Sequence, residues 1–209
     1  MMGRMGLYRD NVFPRLMNVA MNTKQTRIIR ARVCADLKGE VVEIGFGTGH
    51  NLPYLPASVT RLTVVEPPGL GVRMARERIA ATAIPFEVAG LDGQDLPFDD
   101  ASADQVLCTW SLCSIPDPVR AVREARRVLR PGGTFHFVEH GRAPDESVRR
   151  WQERLDPVQK RLAGGCHLSR DIPAILEAGG MRIERIDRYY GKGEPKVFGS
   201  LYEGVAVPA

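Results

Sequence analysis

A glycine-rich turn directly after an apolar run is the feature that most limits what this chain can fold into. The run Val41–Ile44 leads into Gly45, Gly47 and Gly49, and a helix-like stretch follows. Glycine permits a tight turn and lets the backbone approach a ligand closely. A dinucleotide-binding turn would place its third glycine at position 50, where this chain has His50. The pattern predicts a buried strand followed by a binding site for a ligand that has no pyrophosphate.

Short apolar runs alternate with longer helical patterns along much of the chain. Five runs predict strands: Glu40–Gly45, Leu62–Glu66, Pro85–Ala89, Asp104–Thr109 and Thr134–Glu139. The stretches between them predict helices: His50–Leu55, Leu70–Ala81 and Pro118–Leu129. Runs rich in Val, Leu and Ile are typical of parallel strands buried on both faces. The alternation therefore predicts an α/β domain in which right-handed crossovers join parallel strands.

The pattern changes after Glu139. Helices are predicted over Ser147–Leu162 and Asp171–Ala178. Two strands, Met181–Arg188 and Val197–Val207, then follow with no helix between them. Consecutive strands of this kind are expected to pair as an antiparallel hairpin, here at one edge of the sheet.

Composition narrows the class of protein. The chain has 209 residues, 44% of them hydrophobic, which is enough for one domain with a sizeable core. No apolar run approaches the roughly 18–20 residues that span a bilayer, and no signal peptide is evident, so a cytoplasmic protein is expected. The net charge of +4 is spread over helices with acids interleaved, which argues against a nucleic-acid partner. The four cysteines follow no zinc-site spacing, so no metal is expected.

Two acids lie where the second and third predicted strands end. Glu66 closes the second strand, and an acid at that place can accept hydrogen bonds from both hydroxyls of a ribose. Asp92 follows the third strand, where a carboxylate can accept a hydrogen bond from an adenine amino group. Because the carboxyl ends of parallel strands meet at one edge, these acids and the glycine turn predict a common nucleoside site.

These motifs together resemble the class I S-adenosylmethionine-dependent methyltransferases. Glu43 with the three glycines looks like the first motif of that family, Glu66 matches its ribose acid, and Asp92 with Gly93 matches its adenine loop. The resemblance implies S-adenosylmethionine as cofactor, S-adenosylhomocysteine as product and no metal. It also implies these cofactor contacts: Glu43, Gly45, Phe46, Gly47, Gly49, Asn51, Glu66, Pro67, Asp92, Gly93, Cys108 and Thr109.

The same resemblance implies a Rossmann-like three-layer sandwich with a mostly parallel seven-stranded sheet and an antiparallel C-terminal strand. We expect residues 1–209 to form a single methyltransferase domain. Within it, residues 1–38 would be an N-terminal helical lid and residues 39–140 the cofactor-binding core. Residues 141–209 would supply the substrate-side helices and the C-terminal hairpin.

A narrower resemblance lies downstream. The segments Cys108–Ile115, Phe137–His140, Leu155–Pro157 and Gly165–Asp171, together with Trp151, look like the thiol S-methyltransferase branch of the methyltransferase-like proteins and its bacterial relatives. Those enzymes methylate small alkyl thiols. The resemblance therefore implies a small-molecule acceptor, and a thiol in particular.

Residues just past the fourth and fifth strands are the candidates for catalysis. Thr109 and Trp110 are expected near the methyl group, and His140 is the candidate general base. Four residues are candidates for the acceptor pocket: Cys113, His167, Arg170 and Asp171. An alternative for the last three is that they only begin the helix Asp171–Ala178, with Ser169 as its N-cap.

Other functions stay open at this point. The acceptor of an enzyme of this fold can also be a lipid-like amine or a quinol. A protein of another class would bind the cofactor without turnover. A nucleic-acid methyltransferase is disfavoured because the Asn-Pro-Pro-type motif after the fourth strand is replaced by Thr109–Leu112. A metal-dependent catechol-type enzyme is disfavoured because no matching set of Asp and Asn ligands follows that strand.

The early chain carries an apolar stripe with helical spacing. Its members, which would share one helical face, are Phe13, Leu16, Met17, Ala20 and Met21. Three roles fit this stripe: a helix packed on the domain, a lid over the acceptor, or a transient contact with a membrane surface, since basic residues lie nearby. The oligomeric state is not predicted.

Overall fold

The apolar runs of the sequence form the central sheet of the protein. The computed structural model describes residues 8–90 and 92–209. The sheet contains seven strands: β1 (Gly39–Ile44), β2 (Val59–Val65), β3 (Phe86–Gly90), β4 (Ala103–Thr109), β5 (Leu129–His140), β6 (Met181–Tyr190) and β7 (Ser200–Pro208). Their order is β3-β2-β1-β4-β5-β7-β6; β7 pairs antiparallel with both β5 and β6, and the other pairs are parallel. The predicted parallel sheet with its C-terminal hairpin is confirmed.

The helices lie on both faces of this sheet. In the described part of the chain they are α1 (Phe13–Ala20), α2 (Lys24–Cys34), α3 (Leu70–Met74), α4 (Arg76–Ala81), α5 (Pro118–Val128), α6 (Glu146–Leu162) and α7 (Ile172–Ala178). One buried cluster joins α5 and α7 to the strand face that carries Val42 and Ile44. A second joins α2 to the opposite face, which carries Val41. The chain is therefore a three-layer sandwich, as predicted.

Helix α5 shows how local sequence fixes one of these elements. Asp117 caps its start by accepting a hydrogen bond from the Arg120 N–H at 3.0 Å, and Pro118 occupies the first turn, where it is tolerated. Its buried residues, which recur with helical spacing, are Ala121, Val122, Ala125 and Val128. Burial of this apolar face holds the crossover between β4 and β5 against the sheet.

One predicted helix is wrong. The segment His50–Leu55 forms turns, including a single 3₁₀ turn over Leu52–Tyr54. Pro56 disfavours helical backbone at the residue before it, and Leu55 accordingly has φ −71° and ψ 127°. Pro56, directly after this segment, therefore prevents a regular helix here.

A second predicted helix, Leu70–Ala81, is divided into α3 and α4. The division falls at Ala75, which is fully buried. Its N–H is shared between the carbonyl oxygens of Gly71 and Val72, at 3.1 and 3.2 Å. This shared hydrogen bond tightens the backbone locally and interrupts the regular helix at this residue.

The N-terminal stripe forms helix α1, as predicted, although none of the helix's residues is fully buried. Residues 1–7 of the predicted lid lie outside the described residues. A reciprocal capping box between Thr23 and Thr26 starts α2. Within the described residues, no helix has both the length and the apolar character needed to cross a membrane.

The terminal hairpin depends on a glycine where β6 and β7 come closest. A Cβ added to Gly204 would overlap the carbonyl oxygen of Arg185. We expect Gly204→Ala to lower the free energy of unfolding by about 1–3 kcal/mol because the paired strands must separate. Gly69→Ala is the matched control, since its Cβ would meet no atom closer than 3.7 Å. Equal losses for both variants in urea denaturation would contradict this prediction.

Candidate active site

The turn after β1 holds its three glycines in the left-handed region. The φ angles of Gly45, Gly47 and Gly49 are +79°, +57° and +75°, values that other residues rarely adopt. A Cβ added to Gly47 would meet no atom within 4 Å, so space is open beside the turn. The side chain of Phe46 is buried, with its ring 5.2 Å from that of Phe86. The turn therefore offers its backbone, rather than its side chains, to a ligand.

Glu66 lies beside this turn. Its Oε2 accepts a hydrogen bond from the Gly47 N–H at 3.1 Å. Burial raises the pKa of Glu66, and the hydrogen bond from Gly47 partly offsets that effect. The N–H of Glu66 also donates to the carbonyl of Gly90 at 3.0 Å, which joins the ends of β2 and β3. The structure therefore brings together the glycine turn and the acid predicted to hold a ribose, while Pro67 beside it is exposed.

Asp92 begins the next loop of this edge. Its carboxylate is exposed and accepts hydrogen bonds from the side-chain amide and the backbone N–H of Gln94, both at 2.9 Å, which lower its pKa. Gly93 packs tightly, since a Cβ there would lie 2.6 Å from Ile44 Cγ2. The contact of Asp92 with an adenine stays a prediction.

A buried polar network lies beneath the glycine turn. Asn51 Nδ2 donates to Glu43 Oε1 at 2.7 Å and to Thr109 Oγ1 at 3.0 Å. Burial raises the pKa of Glu43 to about 8, although the hydrogen bond from Asn51 and the charge of Arg30 oppose the shift. Glu43 Oε2 has no hydrogen-bond partner among the described residues. One buried carboxylate oxygen is therefore available to a ligand donor.

Arg30 is a member of this network that the sequence analysis missed. Its Nη1 donates to Asn51 Oδ1 at 2.5 Å and to Thr109 Oγ1 at 3.2 Å, and burial lowers its pKa to about 10. A signal was present in the sequence, because Arg30 shares the buried face of α2 with Thr26, Ile29 and Val33. A basic residue on an apolar helix face indicates a buried charge that needs partners.

The two residues expected near the methyl group lie at the end of β4 and directly after it. Thr109 is buried in the network, and Trp110 follows with φ +51°, a left-handed value that is unusual for an aromatic residue. The guanidinium of Arg30 lies 4.7 Å from the centroid of the Trp110 ring, a cation–π contact that holds the ring in place. Non-glycine residues in this region are found preferentially at functional sites.

Glu139 organises the loop after β4. It is completely buried at the end of β5 and accepts hydrogen bonds from the backbone N–H groups of Ser111, Leu112 and Cys113, at 2.9, 3.0 and 3.1 Å. The thiol of Cys108 donates to the same carboxylate at 3.5 Å. Burial raises the pKa of Glu139 to about 7, and the three N–H groups oppose the shift. The loop is therefore pinned to the neighbouring strand.

Two cysteines and a histidine meet at this loop. The Sγ atoms of Cys113 and Cys166 lie 3.5 Å apart, and the Sγ of Cys166 lies 3.8 Å from Nδ1 of His140. The hydrogen bond between the cysteines lowers the pKa of Cys166 and raises that of Cys113. Burial lowers the pKa of His140, but the interaction with Cys166 outweighs it, so the net shift is upward. The general-base role of His140 stays a prediction, and its free nitrogen for that role is Nε2.

The other acceptor-pocket candidates separate in the structure. His167 Nδ1 lies 2.8 Å from an Asp156 carboxylate oxygen, and Arg170 donates to the carbonyl of Leu112. These contacts place both residues beside the loop that contains Cys113. Asp171 is exposed and accepts a hydrogen bond from the Ala174 N–H at 3.3 Å, so it caps α7. The expectation that Ser169 would be this cap is wrong, because Asp171 itself occupies that position.

The chain is similar in sequence to known methyltransferases. Residues 42–137 match the methyltransferase-domain family. The chain is 32% identical over 167 residues to thiol S-methyltransferase TMT1B of Homo sapiens, covering 77% of this chain and 68% of that protein. It is 36% identical over 146 residues to thiol S-methyltransferase TMT1A of Homo sapiens, covering 67% of this chain and 59% of that protein. It is also 31% identical over 130 residues to the demethylmenaquinone methyltransferase of Clavibacter sepedonicus, covering 62% of this chain and 53% of that one.

A solved structure supports the fold. An S-adenosylmethionine-dependent methyltransferase of Leishmania major superimposes with a TM-score of 0.71 at 14% identity, covering 98% of this chain and 82% of the other. The similarity to human TMT1B and the methyltransferase-domain match show that the chain belongs to the S-adenosylmethionine-dependent methyltransferases. Within that family it is similar to the thiol S-methyltransferases, although it spans only 59% of the length of the human TMT1A enzyme.

The residues at this edge fit the cofactor of the family. S-Adenosylmethionine carries a cationic amino group, and the unpartnered Glu43 Oε2 is a buried acceptor suited to it. Glu66 is suited to the ribose hydroxyls beside the open Gly47. The backbone of the glycine turn can approach the ligand closely because it has no side chains in the way.

Replacing Glu43 should change both the pH dependence of stability and the affinity for the cofactor product. Because the folded pKa of Glu43 is about 8, well above its usual 4.5, the folded protein holds a proton that the unfolded chain releases. The cofactor-free protein should therefore lose stability as the pH rises from 5 to 8. Glu66 and Glu139 contribute to the same loss, so we expect Glu43→Gln to reduce it rather than remove it, with the variant melting above the parent at pH 8 and close to it at pH 5.

The same variant should bind S-adenosylhomocysteine about tenfold more weakly, equivalent to roughly 1.4 kcal/mol, because a carboxylate acceptor is lost. Calorimetric titration measures this affinity. Glu87→Gln, at an exposed position on β3, is the control and should change neither property. A Glu43→Gln variant that is less stable than the parent at pH 8 would argue against the raised pKa.

Proposed function

We propose that this chain transfers the methyl group of S-adenosylmethionine to the sulfur of a small thiol. Support comes from its similarity to two human thiol S-methyltransferases. The single observation that carries the proposal is the position of the buried network of Arg30, Asn51 and Thr109, which connects the glycine turn to the end of β4. A cofactor held by this network would lie next to Trp110 and the loop Ser111–Cys113 that follows.

The chemistry asks little of the protein beyond alignment. The cofactor, when bound, supplies a methyl group already activated by a sulfonium. Holding an acceptor in line with that methyl group can contribute on the order of 7–11 kcal/mol. Thr109 and Trp110 would set this alignment, since one is fixed by hydrogen bonds and the other by the stacked guanidinium of Arg30.

The acceptor must react as a thiolate. A free thiol has a pKa of about 8.5, so only a minority is ionised at neutral pH. Two partly or fully buried cations lie at this edge, Arg30 under Trp110 and Arg170 beside Leu112. Positive charge near the acceptor stabilises the thiolate and therefore favours attack.

Helix α1 is proposed to act as the lid of this site. Nε2 of His50 lies 3.2 Å from the carbonyl of Asn18, which ties the helix to the glycine turn. The ring of Phe13 packs on Gly164, where a Cβ would lie 2.6 Å from Phe13 Cε1. The helix thus extends from the cofactor side to the turn before Cys166. Its contact with a membrane surface stays a prediction.

Loss of the Phe13 contact should loosen this lid. We expect Phe13→Ala to raise the KM for the acceptor about tenfold, equivalent to roughly 1.4 kcal/mol, and to leave the affinity for S-adenosylhomocysteine unchanged. Leu16→Ala is the matched control, because Leu16 lies on the same helix and is 52% exposed. Equal effects of the two substitutions in steady-state kinetics would count against a lid.

An acceptor screen tests the proposed function directly. The purified chain is incubated with S-adenosylmethionine and small alkyl thiols, amines or quinols, and S-adenosylhomocysteine is quantified. We expect turnover with thiols and at least a tenfold loss in Glu66→Gln, whose carboxylate borders the glycine turn. Glu87→Gln should keep the parent rate.

The screen also separates the rival functions. A quinol acceptor is favoured by the similarity to the demethylmenaquinone methyltransferase. It is favoured too by the exposed Val19 on α1, which would suit a lipid-like substrate. Turnover with quinols alone would replace the thiol proposal. Cofactor binding with no turnover on any acceptor would instead indicate a binding protein.

A further inference from the structure

The cysteine and histidine cluster has the dimensions of a metal site. The ligand atoms of Cys113, His140 and Cys166 all lie within 4.8 Å of one another. A tetrahedral zinc ion with bonds of about 2.3 Å to sulfur and about 2.0–2.1 Å to nitrogen places two sulfurs about 3.8 Å apart, and a sulfur and a nitrogen about 3.6 Å apart. The observed separations are 3.5 Å between the sulfurs and 3.8 Å between Cys166 Sγ and His140 Nδ1.

We propose that Cys113, His140 and Cys166 bind one Zn²⁺ ion whose fourth position takes the sulfur of the acceptor. Two thiolates and an imidazole form a soft ligand set that suits zinc. Three protein ligands with one open position are typical of catalytic rather than structural zinc. This inference rests on the proposed thiol acceptor.

The protein holds these ligands in place before any metal arrives. Glu139 anchors Cys113 through the backbone N–H, and the carbonyl of Cys113 accepts a hydrogen bond from the His167 N–H at 2.8 Å. Gly164 and Gly165 adopt φ +61° and +98°, and this left-handed turn brings Cys166 up to Cys113. Supporting hydrogen bonds of this kind orient the ligands of a metal centre.

The cluster lies at the edge of the sheet that carries the residues expected near the methyl group. Cys113 and Cys166 are only 1% and 6% exposed. His140 is half-buried at the end of β5. Because β4 pairs with β5 through Thr109 and Val138, the cluster lies at the same sheet edge as Thr109 and Trp110. An acceptor bound to the metal would therefore lie beside the residues expected near the methyl group.

The ion would replace a general base. On binding, the acceptor thiol releases its proton to solvent and its sulfur keeps the electron pair. That pair forms the new carbon–sulfur bond, and the bond between the methyl carbon and the sulfonium breaks with its electrons on the departing sulfur. The methylated product is a neutral thioether, which binds zinc weakly and leaves. His140 is then a ligand rather than a proton acceptor.

Metal analysis and cobalt substitution test this proposal. The full chain is purified with a non-thiol reductant, and its zinc content is measured. We expect one Zn²⁺ per chain and, with Co²⁺ alone, the absorption of tetrahedral cobalt bound to thiolates. Cys166→Ala and His140→Ala should each weaken Co²⁺ binding at least tenfold. Cys34→Ala, at a buried cysteine on α2, is the matched control and should leave it unchanged.

Activity then separates the metal site from the proposed function. Chelation should lower thiol methylation at least tenfold, and one equivalent of Zn²⁺ should restore it, with the affinity for S-adenosylhomocysteine unaltered. His140→Cys, which supplies another zinc ligand and no base, should retain the metal.

Two results would overturn the inference: full thiol methylation by a chain that binds no zinc, or a Cys113–Cys166 disulfide in the reduced preparation. The first result would leave the proposed function intact. Zinc bound by all three ligands with no methylation of any thiol would instead refute the proposed function and the acceptor's place at the metal, and would leave only the three-ligand zinc site.

Discussion

The buried carboxylate of Glu139 is the interaction on which the arrangement of the site depends. A carboxylate this deep in the protein is costly unless its oxygens accept hydrogen bonds. Three successive N–H groups of the loop after β4 and one thiol satisfy it. The loop thereby gains a fixed position relative to β5, with Ser111 against Gly45 and Cys113 against Cys166. The end of β5 therefore positions the loop that contacts both the glycine turn and the cysteine and histidine cluster.

Much of the fold was readable from local patterns. The strands follow from apolar runs, because a parallel strand buried on both faces has few polar residues, as Val41–Ile44 illustrates. The hairpin of β6 and β7 follows from two strands without a helix between them. The misplaced helix His50–Leu55 shows the limit of such reasoning, since Pro56 outweighed an otherwise helical pattern.

The candidate site was only partly readable. Gly47 and Glu66 were predicted to meet because both follow parallel strands, and they do. The cluster of Cys113, His140 and Cys166 was not predicted, and the spacing of the cysteines argued against any metal. Its three members lie 27 and 26 positions apart along the chain. The pairing of β4 with β5 and the turn at Gly164 and Gly165 bring them together. Neither feature appears as a short motif in the sequence.

The hydrogen bonds at the corner between α1 and α2 would set the cost of opening the proposed lid. Thr23 and Thr26 cap each other, and the Thr26 hydroxyl also donates to the carbonyl of Met21 at 2.9 Å. The two helices are therefore joined by a hydrogen-bonded turn rather than by a flexible linker. Swinging α1 outward must break that bond or unwind its last turn, at about 1 kcal/mol for each hydrogen bond lost. If α1 is the proposed lid, the hydrogen bonds of Thr23 and Thr26 add a fixed free-energy cost to each opening of the site.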